Sequence, residues 1–222
     1  MLRRFLKRLG YSWKRFRKSL NKKQNQQEYE DKLAELKHLL ELYRMDYIDL
    51  YFADESGFNQ EGYVPYGWQP KGEYIAITPS KSKGTQVLGL MSLDNKLQAY
   101  SFKGSMNSQA VIACLDDFLK EIKQPTVVVL DNAPTHRSEA FQEKIAQWRE
   151  QDLYIFFLPT YSPHLNPIEI LWRKIKYEWL AYENILTQKQ LDQELEEILV
   201  NFGKQYRINF KDKHHKVANI FA

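Results

Sequence analysis

Three acidic residues lie at the ends of predicted elements, where side chains that do chemistry are commonly found. Asp54 ends a strand predicted over residues 47–54, and Asp131 ends a continuously apolar strand predicted over residues 126–131. Glu169 lies in the first turn of a predicted helix. Because functional sites in open α/β sheets gather at the carboxyl ends of strands, we expect these three carboxylates to converge.

Three converging carboxylates suit the binding of a hard divalent cation such as Mg²⁺ or Mn²⁺. Two such ions can flank a phosphodiester, one activating the attacking oxygen and the other stabilising the leaving oxygen. The sequence has no Cys or Ser nucleophile in a recognisable frame and no Gly-rich phosphate loop with its Lys. The pattern therefore favours metal-assisted phosphoryl transfer over nucleophilic catalysis.

Both aspartates also have an ordinary structural interpretation. Asp131 could form an Asx turn onto Ala133 or cap the following segment. Asp54 has Glu55 beside it, so either acid could be a surface residue. The side chains of Asp54 and Glu55 point to opposite faces of the strand, and only Asp54 lies on the face that carries the apolar residues of the strand.

Glu169 taken alone fits a helix cap better than a metal ligand. Asn166 would be the N-cap, Pro167 the first helical residue, and Glu169 the third residue of a capping box. Arg173 and Lys176 follow at helical spacing on the face of Glu169, where they could bind a nucleic-acid backbone. The alternative is a solvated face with a Glu169–Arg173 ion pair.

The order of predicted elements indicates one mixed α/β sheet with helices on its faces. A meander of strands comes first and is followed by alternating helices and strands. The strands are predicted over 47–54, 73–79, 86–93, 97–103, 126–131 and 153–158, and the helices over 28–45, 107–122, 138–150, 167–182 and 188–202. An Asp94-Asn95 turn joins two of the meander strands as a hairpin.

The charge is distributed unevenly, and this predicts a polyanionic partner. The chain has 222 residues and a net charge of +4, but its first 27 residues hold ten Lys or Arg and no acid. The remaining residues hold 22 basic and 28 acidic side chains. We expect this basic arm to bind DNA phosphates through Arg3, Arg4, Lys7, Arg8, Lys14, Arg15, Arg17 and Lys18.

Composition excludes several other classes of protein. No apolar run approaches the roughly 20 residues of a membrane helix, and the charged N-terminus argues against a signal peptide. The single cysteine, Cys114, excludes an internal disulfide and a Cys-cluster zinc site; its position on a predicted helix indicates a small core residue. These features fit a cytoplasmic protein.

Three segments together resemble the catalytic blocks of DDE transposases, in the bacterial insertion-sequence branch of the mariner superfamily. They read YFADESGF, VVVLDNAPTHRS and FFLPTYSPHLNPIEILWRKIK, and the resemblance covers about residues 47–180. It implies an RNase H-like fold, with an antiparallel meander, then parallel strands, and helices on both faces. It also implies that the site holds two Mg²⁺ or Mn²⁺ ions.

The resemblance places the metal-binding catalytic triad on Asp54, Asp131 and Glu169. It adds Asn132 and His136 as supporting residues, with His136 ordering the loop or touching a scissile phosphate. There are 37 residues between Asp131 and Glu169, slightly more than is usual in this branch. The extra length puts the subgroup in question rather than the triad.

The resemblance further implies a transposase catalytic subunit that cuts and transfers DNA strands of an insertion sequence at a short TA target. Residues 1–45 would be a basic arm, remaining from a helix-turn-helix domain, with a linker helix. Residues 46–204 would be the catalytic domain, and 205–222 a basic tail. The expected partners are double-stranded DNA, a second copy of the chain and an upstream helix-turn-helix chain, at the bacterial nucleoid. The alternatives are an inactive DNA-binding remnant and a host RNase H-like nuclease.

Overall fold

The computed structural model describes residues 2–10, 25–59, 84–180, 187–210 and 221. The strands are β1 Asp49–Phe58, β2 Thr85–Met91, β3 Leu97–Lys103, β4 Thr126–Leu130 and β5 Leu153–Phe157. The helices are α1 Leu2–Arg8, α2 Gln26–Arg44, α3 Ser108–Phe118, α4 Glu139–Arg149, α5 Ile168–Lys174 and α6 Gln188–Val200. Two 3₁₀ turns, Pro134–Arg137 and Pro163–Leu165, lie in loops, and a π-helical segment, Ile175–Trp179, continues α5.

The five described strands form one mixed sheet in the order β3-β2-β1-β4-β5. β1, β2 and β3 pair antiparallel, and β4 and β5 add to β1 in parallel. The β2–β3 hairpin turns at Asn95, whose φ of 66° is the left-handed conformation that Asn tolerates well. The predicted mixed sheet and its hairpin are therefore confirmed.

The first strand is longer than predicted. Its parallel pairing with β4 ends at Phe52, but its antiparallel pairing with β2 continues to Phe58. The prediction ended the strand at Asp54, because the glycine and polar residues beyond it resemble a loop. Asp54 therefore does not end β1, but lies two residues beyond the last pair that β1 makes with β4.

Other boundaries shift by smaller amounts. The helix predicted over 107–122 ends at Phe118, and the helix predicted over 167–182 becomes π-helical after Lys174. Both begin close to the predicted residue. The strand predicted over 73–79 lies outside the described residues.

An apolar cluster covers each face of the sheet. Alternation along β1 sends Leu50, Phe52 and Phe58 to one cluster and Ala53 to the other. α2, α5 and α6 pack into the first cluster, and α3 and α4 pack into the second. The expected helices on both faces are thus confirmed, and Cys114 is a buried member of the second cluster.

Residues on both sides of the predicted catalytic region, 46–204, pack against that region. Leu36 and Leu40 of α2 are buried in the first cluster, as are Phe210 and Phe221 near the C-terminus. The phenyl ring of Phe221 meets that of Phe52 edge to face at 5.4 Å.

Among the described helices, none is long and apolar enough to cross a membrane.

Candidate functional site

The three predicted acids line one cleft of about 430 Å³. Asp54 comes from β1, Asp131 follows β4 directly, and Glu169 comes from the first turn of α5. The cleft lies beyond the carboxyl end of β4, beside the part of β1 that continues past its last pair with β4. The fold therefore brings together acids that are 77 and 38 positions apart in the sequence.

Asp54 is held in an environment that disfavours its charge. Burial, followed by the neighbouring charges of Glu169, Glu55 and Asp131, raises the pKa of Asp54 to about 8. Its Oδ2 atom accepts a hydrogen bond of 3.0 Å from Nε1 of Trp172. Trp172 was not among the predicted site residues.

A glycine on the neighbouring strand makes room for this indole. Gly89 of β2 pairs with Asp54 of β1. A Cβ atom at Gly89 would lie only 2.7 Å from Cη2 of Trp172 and 3.1 Å from Cδ1 of Ile168. The absent side chain therefore allows α5 to approach the sheet closely enough for Trp172 to bond Asp54.

Asp131 does form the Asx turn that was the structural alternative. Its Oδ1 accepts from the backbone N–H of Ala133 at 3.0 Å and lies 3.1 Å from Nδ1 of His136. The hydrogen bond from His136 holds the pKa of Asp131 below its usual range, against the effect of burial. The turn and the place at the cleft are thus compatible, because both of these bonds use Oδ1.

His136 links two acidic residues inside the protein. Its ring is fully buried, with Nδ1 3.1 Å from the Asp131 backbone oxygen and Nε2 3.1 Å from Oε1 of Glu55. Although burial disfavours the imidazolium, the bonds to Asp131 and Glu55 raise the pKa of His136 to about 10. These bonds are compatible with the expected ordering of the loop by His136.

Glu169 is not part of a capping box. The Asn166 side chain makes no cap bond; its Nδ2 donates instead to the backbone oxygen of Ala53 at 3.1 Å. The backbone N–H of Glu169 bonds to the Asn166 backbone oxygen at 3.2 Å. The capping interpretation was wrong, because the Asn166 side chain bonds instead to a backbone carbonyl of β1. That partner is distant in the sequence and could not be predicted from it. Asn166 thus ties the residue before Asp54 to the start of α5.

The charge of Glu169 is also disfavoured. Burial raises the pKa of Glu169; the charge of Lys176 opposes this effect, and that of Asp131 adds to it. Burial lowers the pKa of Lys176 against the attraction of Glu169 and Asp54. The Nζ atom of Lys176 also lies over the Phe58 ring, 5.2 Å from its centroid.

Further polar residues surround the cleft. Asn132 donates through Nδ2 to the Leu158 backbone oxygen, which joins the ends of β4 and β5. Arg137 also lines the cleft; it follows His136 directly and was not among the predicted site residues. Arg173 lies on α5.

Half of the predicted arm residues lie among the described residues. Arg3, Arg4, Lys7 and Arg8 are exposed on α1. Lys14, Arg15, Arg17 and Lys18 lie outside the described residues, and so does the aromatic loop from Tyr63 to Trp68.

The donor set fits a hard divalent cation in its chemistry. Three carboxylates approach one another closely enough for Asp131 and Glu169 to raise the pKa of Asp54, and a bound cation would relieve this repulsion. Within the described residues, however, no group of three or more His, Cys, Asp or Glu side chains is arranged to hold a metal ion. The acids lie around one cleft without forming a closed ligand set.

Comparison with known proteins gives a family and a fold. The profile described as DDE superfamily endonuclease matches residues 49–192. A comparison with curated proteins found no match.

Among solved structures, the chain is similar to a Mos1 transposase paired-end complex with left transposon end. The TM-score is 0.60 at 16% identity, over 90% of this chain and 62% of that chain. The Mos1 mariner paired end complex with Mn gives 0.58 at 16% identity, over 90% and 62%. The Mos1 strand transfer complex gives 0.57 at 16% identity, over 91% and 63%.

These likenesses show the fold, which is the RNase H-like arrangement expected from the sequence. The chain spans about three fifths of the length of these solved chains.

Proposed function

Since the chain belongs to the DDE superfamily endonuclease family, we propose that it is the catalytic part of a transposase that cuts and transfers DNA strands. The observation that carries this proposal is the meeting of Asp54, Asp131 and Glu169 at one cleft, from three separate elements. A cleft lined by three acids repels a phosphodiester unless cations are bound between them. The site is therefore suited to metal-dependent phosphoryl transfer.

In this proposal Asp54, Asp131 and Glu169 hold two Mg²⁺ or Mn²⁺ ions. When bound, the ions supply Lewis-acid charge at the attacking and leaving oxygens of the phosphodiester. The neighbouring residues fix the acids: Trp172 donates to Asp54, and His136 donates to Asp131. No covalent intermediate with the chain is needed, because water and then a DNA 3′-hydroxyl are the attacking groups.

The DNA partner is proposed from charge and from the names of the structural neighbours. The Mos1 structures include a paired-end complex with a transposon end and a strand transfer complex. We propose that this chain likewise acts on the ends of a mobile element, an insertion sequence, as a homodimer on double-stranded DNA. The exposed cations of α1 would bind DNA phosphates without reading the base sequence. Asn132, Arg173 and Lys176 would help to hold the DNA strand at the cleft.

The division of the chain is part of the same proposal. Residues 1–45 would be a DNA-binding arm with its linker helix, 46–204 the catalytic domain and 205–222 a basic tail. An upstream helix-turn-helix chain would supply recognition of the element ends, and the site of action would be the bacterial nucleoid. Adding such a chain to the purified protein should increase cleavage of end-bearing DNA over unrelated DNA.

The experiment is a Mg²⁺-dependent cleavage assay on DNA that carries the inverted repeats flanking the gene. We expect Asp54→Asn, Asp131→Asn and Glu169→Gln each to abolish cleavage, and Asp117→Asn, an exposed change on α3, to leave it intact. DNA binding should survive in all four variants. Cleavage by Asp131→Asn at the rate of the parent would show that the triad is assigned wrongly, and binding without cleavage by the parent would favour an inactive DNA-binding remnant.

A further inference from the structure

Glu55 lies where a carboxylate is difficult to accommodate. It follows Asp54 in β1, so its side chain points to the opposite face of the sheet, next to Ala53 in the second apolar cluster. Its neighbour across the β1–β2 pairing is Leu88, which is fully buried. The side chain is only 19% exposed. A largely buried carboxylate is costly unless a charged or hydrogen-bonding partner compensates it.

His136 is that partner, and its two ring nitrogens face acceptors on both sides. Nε2 lies 3.1 Å from Oε1 of Glu55, and Nδ1 lies 3.1 Å from both the backbone oxygen and Oδ1 of Asp131. Carbonyl and ionised carboxylate oxygens accept hydrogen bonds, so each ring nitrogen faces an acceptor. The ring is therefore held from two sides, between β1 and the end of β4.

The Asp131 side chain, in contrast, is about half exposed, with 51% of its surface accessible. An exposed carboxylate that follows a strand end samples several rotamers unless something holds it. The bonds from His136 and from the Ala133 N–H both hold Oδ1, and Oδ2 takes part in neither. The buried side of the sheet thus sets the orientation of an acid at the cleft.

From this arrangement we propose that Glu55 is a positioning residue for the reaction, acting on Asp131 through His136. Glu55 keeps the ring oriented through a charge-assisted hydrogen bond, and the ring holds Asp131 with one oxygen left for a ligand. Outer partners that orient a ligand in this way typically contribute 10- to 100-fold to metal affinity or activity. The inference rests on the proposed function, since it needs Asp131 to be a ligand.

The test compares Mn²⁺ binding, measured by electron paramagnetic resonance on the full chain without DNA, with DNA cleavage by the same samples. We expect Glu55→Gln to weaken Mn²⁺ binding about 10- to 100-fold and to slow cleavage by a similar factor. Glu55→Asp keeps the charge and should recover part of both. Asp116→Asn is the matched control, because Asp116 joins α3 to α4 through Lys144 and Trp148, outside the cleft.

Comparison with Asp131→Asn and Asp116→Asn distinguishes a failure of this inference from a failure of the proposed function. All assays are run well below the measured melting temperature of each variant, so that loss of folded protein does not imitate loss of positioning. If Glu55→Gln binds Mn²⁺ and cuts like the parent while Asp131→Asn does neither, the role of Glu55 is overturned and the proposed function stands. If Asp131→Asn also behaves like the parent, the proposed function itself fails. An equal loss in Asp116→Asn would reduce Glu55 to a general contribution to stability.

Discussion

Trp172 donates a hydrogen bond from its indole nitrogen to Oδ2 of Asp54, at 3.0 Å and across 118 positions of sequence. The ring is almost completely buried and also packs against Phe58 at 6.0 Å between centroids. One side chain thus belongs both to the apolar core and to the candidate site. The position of an acid at the cleft is therefore coupled to the packing of α5 on the sheet.

Replacing Trp172 with Phe should slow cleavage and also lower the free energy of unfolding. The variant keeps an aromatic ring but loses the donor, so we expect cleavage to fall about 10- to 100-fold. The free energy of unfolding should fall by about 1–3 kcal/mol, the cost of leaving a buried polar group unpaired. Trp148→Phe is the control, because its Nε1 bonds Asp116 at 2.8 Å away from the cleft. An equal loss of cleavage in both variants would contradict a specific role for Trp172.

Gly89→Ala should disturb the same contact from the other side. The new methyl would meet the rigid, buried indole ring of Trp172 at 2.7 Å, so we expect a loss of about 1–3 kcal/mol in unfolding free energy and slower cleavage. Gly57→Ala is the matched control in the same strand pair. Its methyl would meet only the flexible end of Gln86, at 2.9 Å, and should be tolerated. Urea unfolding and the cleavage assay measure both effects.

Asn166→Ala should uncouple α5 from β1. The change leaves the buried backbone oxygen of Ala53 without its 3.1 Å donor, which costs about 1–3 kcal/mol of unfolding free energy. Because Asn166 also fixes the start of the helix that carries Glu169, cleavage measured at a temperature where the variant is folded should fall too. Asn201→Ala, at an exposed bond to the Glu197 backbone oxygen, should change neither property much. Full cleavage by folded Asn166→Ala would disprove the coupling.

The free energy of unfolding should decrease at acid pH because of Asp192, which joins α6 to the edge of the sheet. Although burial raises its pKa, bonds from Lys103, Thr85 and Gln188 hold the pKa of Asp192 below its usual range. A lowered folded pKa gives stability that is present above the unfolded value of about 3.9 and is lost as pH falls through the folded value. Urea unfolding from pH 7 to pH 3 should therefore show a smaller fall in Asp192→Asn than in the parent. Glu196→Gln on the same helix should keep the slope of the parent.

Removing the exposed charges of α1 should weaken DNA binding without changing its sequence preference. With all four of Arg3, Arg4, Lys7 and Arg8 replaced by Ala, each lost phosphate contact should reduce the slope of log affinity against log salt by about 0.9. Fluorescence anisotropy with two unrelated duplexes over a range of salt concentrations measures this slope. An unchanged slope would mean that α1 does not touch the backbone.

Much of the architecture could be predicted from local patterns. The continuous apolar run before Asp131 indicated a central strand, and Thr126–Leu130 is buried along its whole length between β1 and β5. Alternation along β1 correctly separated Asp54 from Glu55. These predictions succeed because side-chain periodicity follows directly from helix and strand geometry. The end of β1 was missed because pairing with β2, and not local composition, extends that strand to Phe58.

The sequence by itself determined which residue types are available for chemistry: three acids near element ends, with an Asn and a His close to the second. Only the tertiary structure decided what each one touches. Glu55 meets His136 across 81 positions, and Asn166 meets Ala53 across 113. Such partners depend on the order of strands in the sheet and on the approach of α5 permitted by Gly89, which periodicity does not encode. For this reason the acids could be predicted, whereas the residues that hold them in place emerged only when the sheet was assembled.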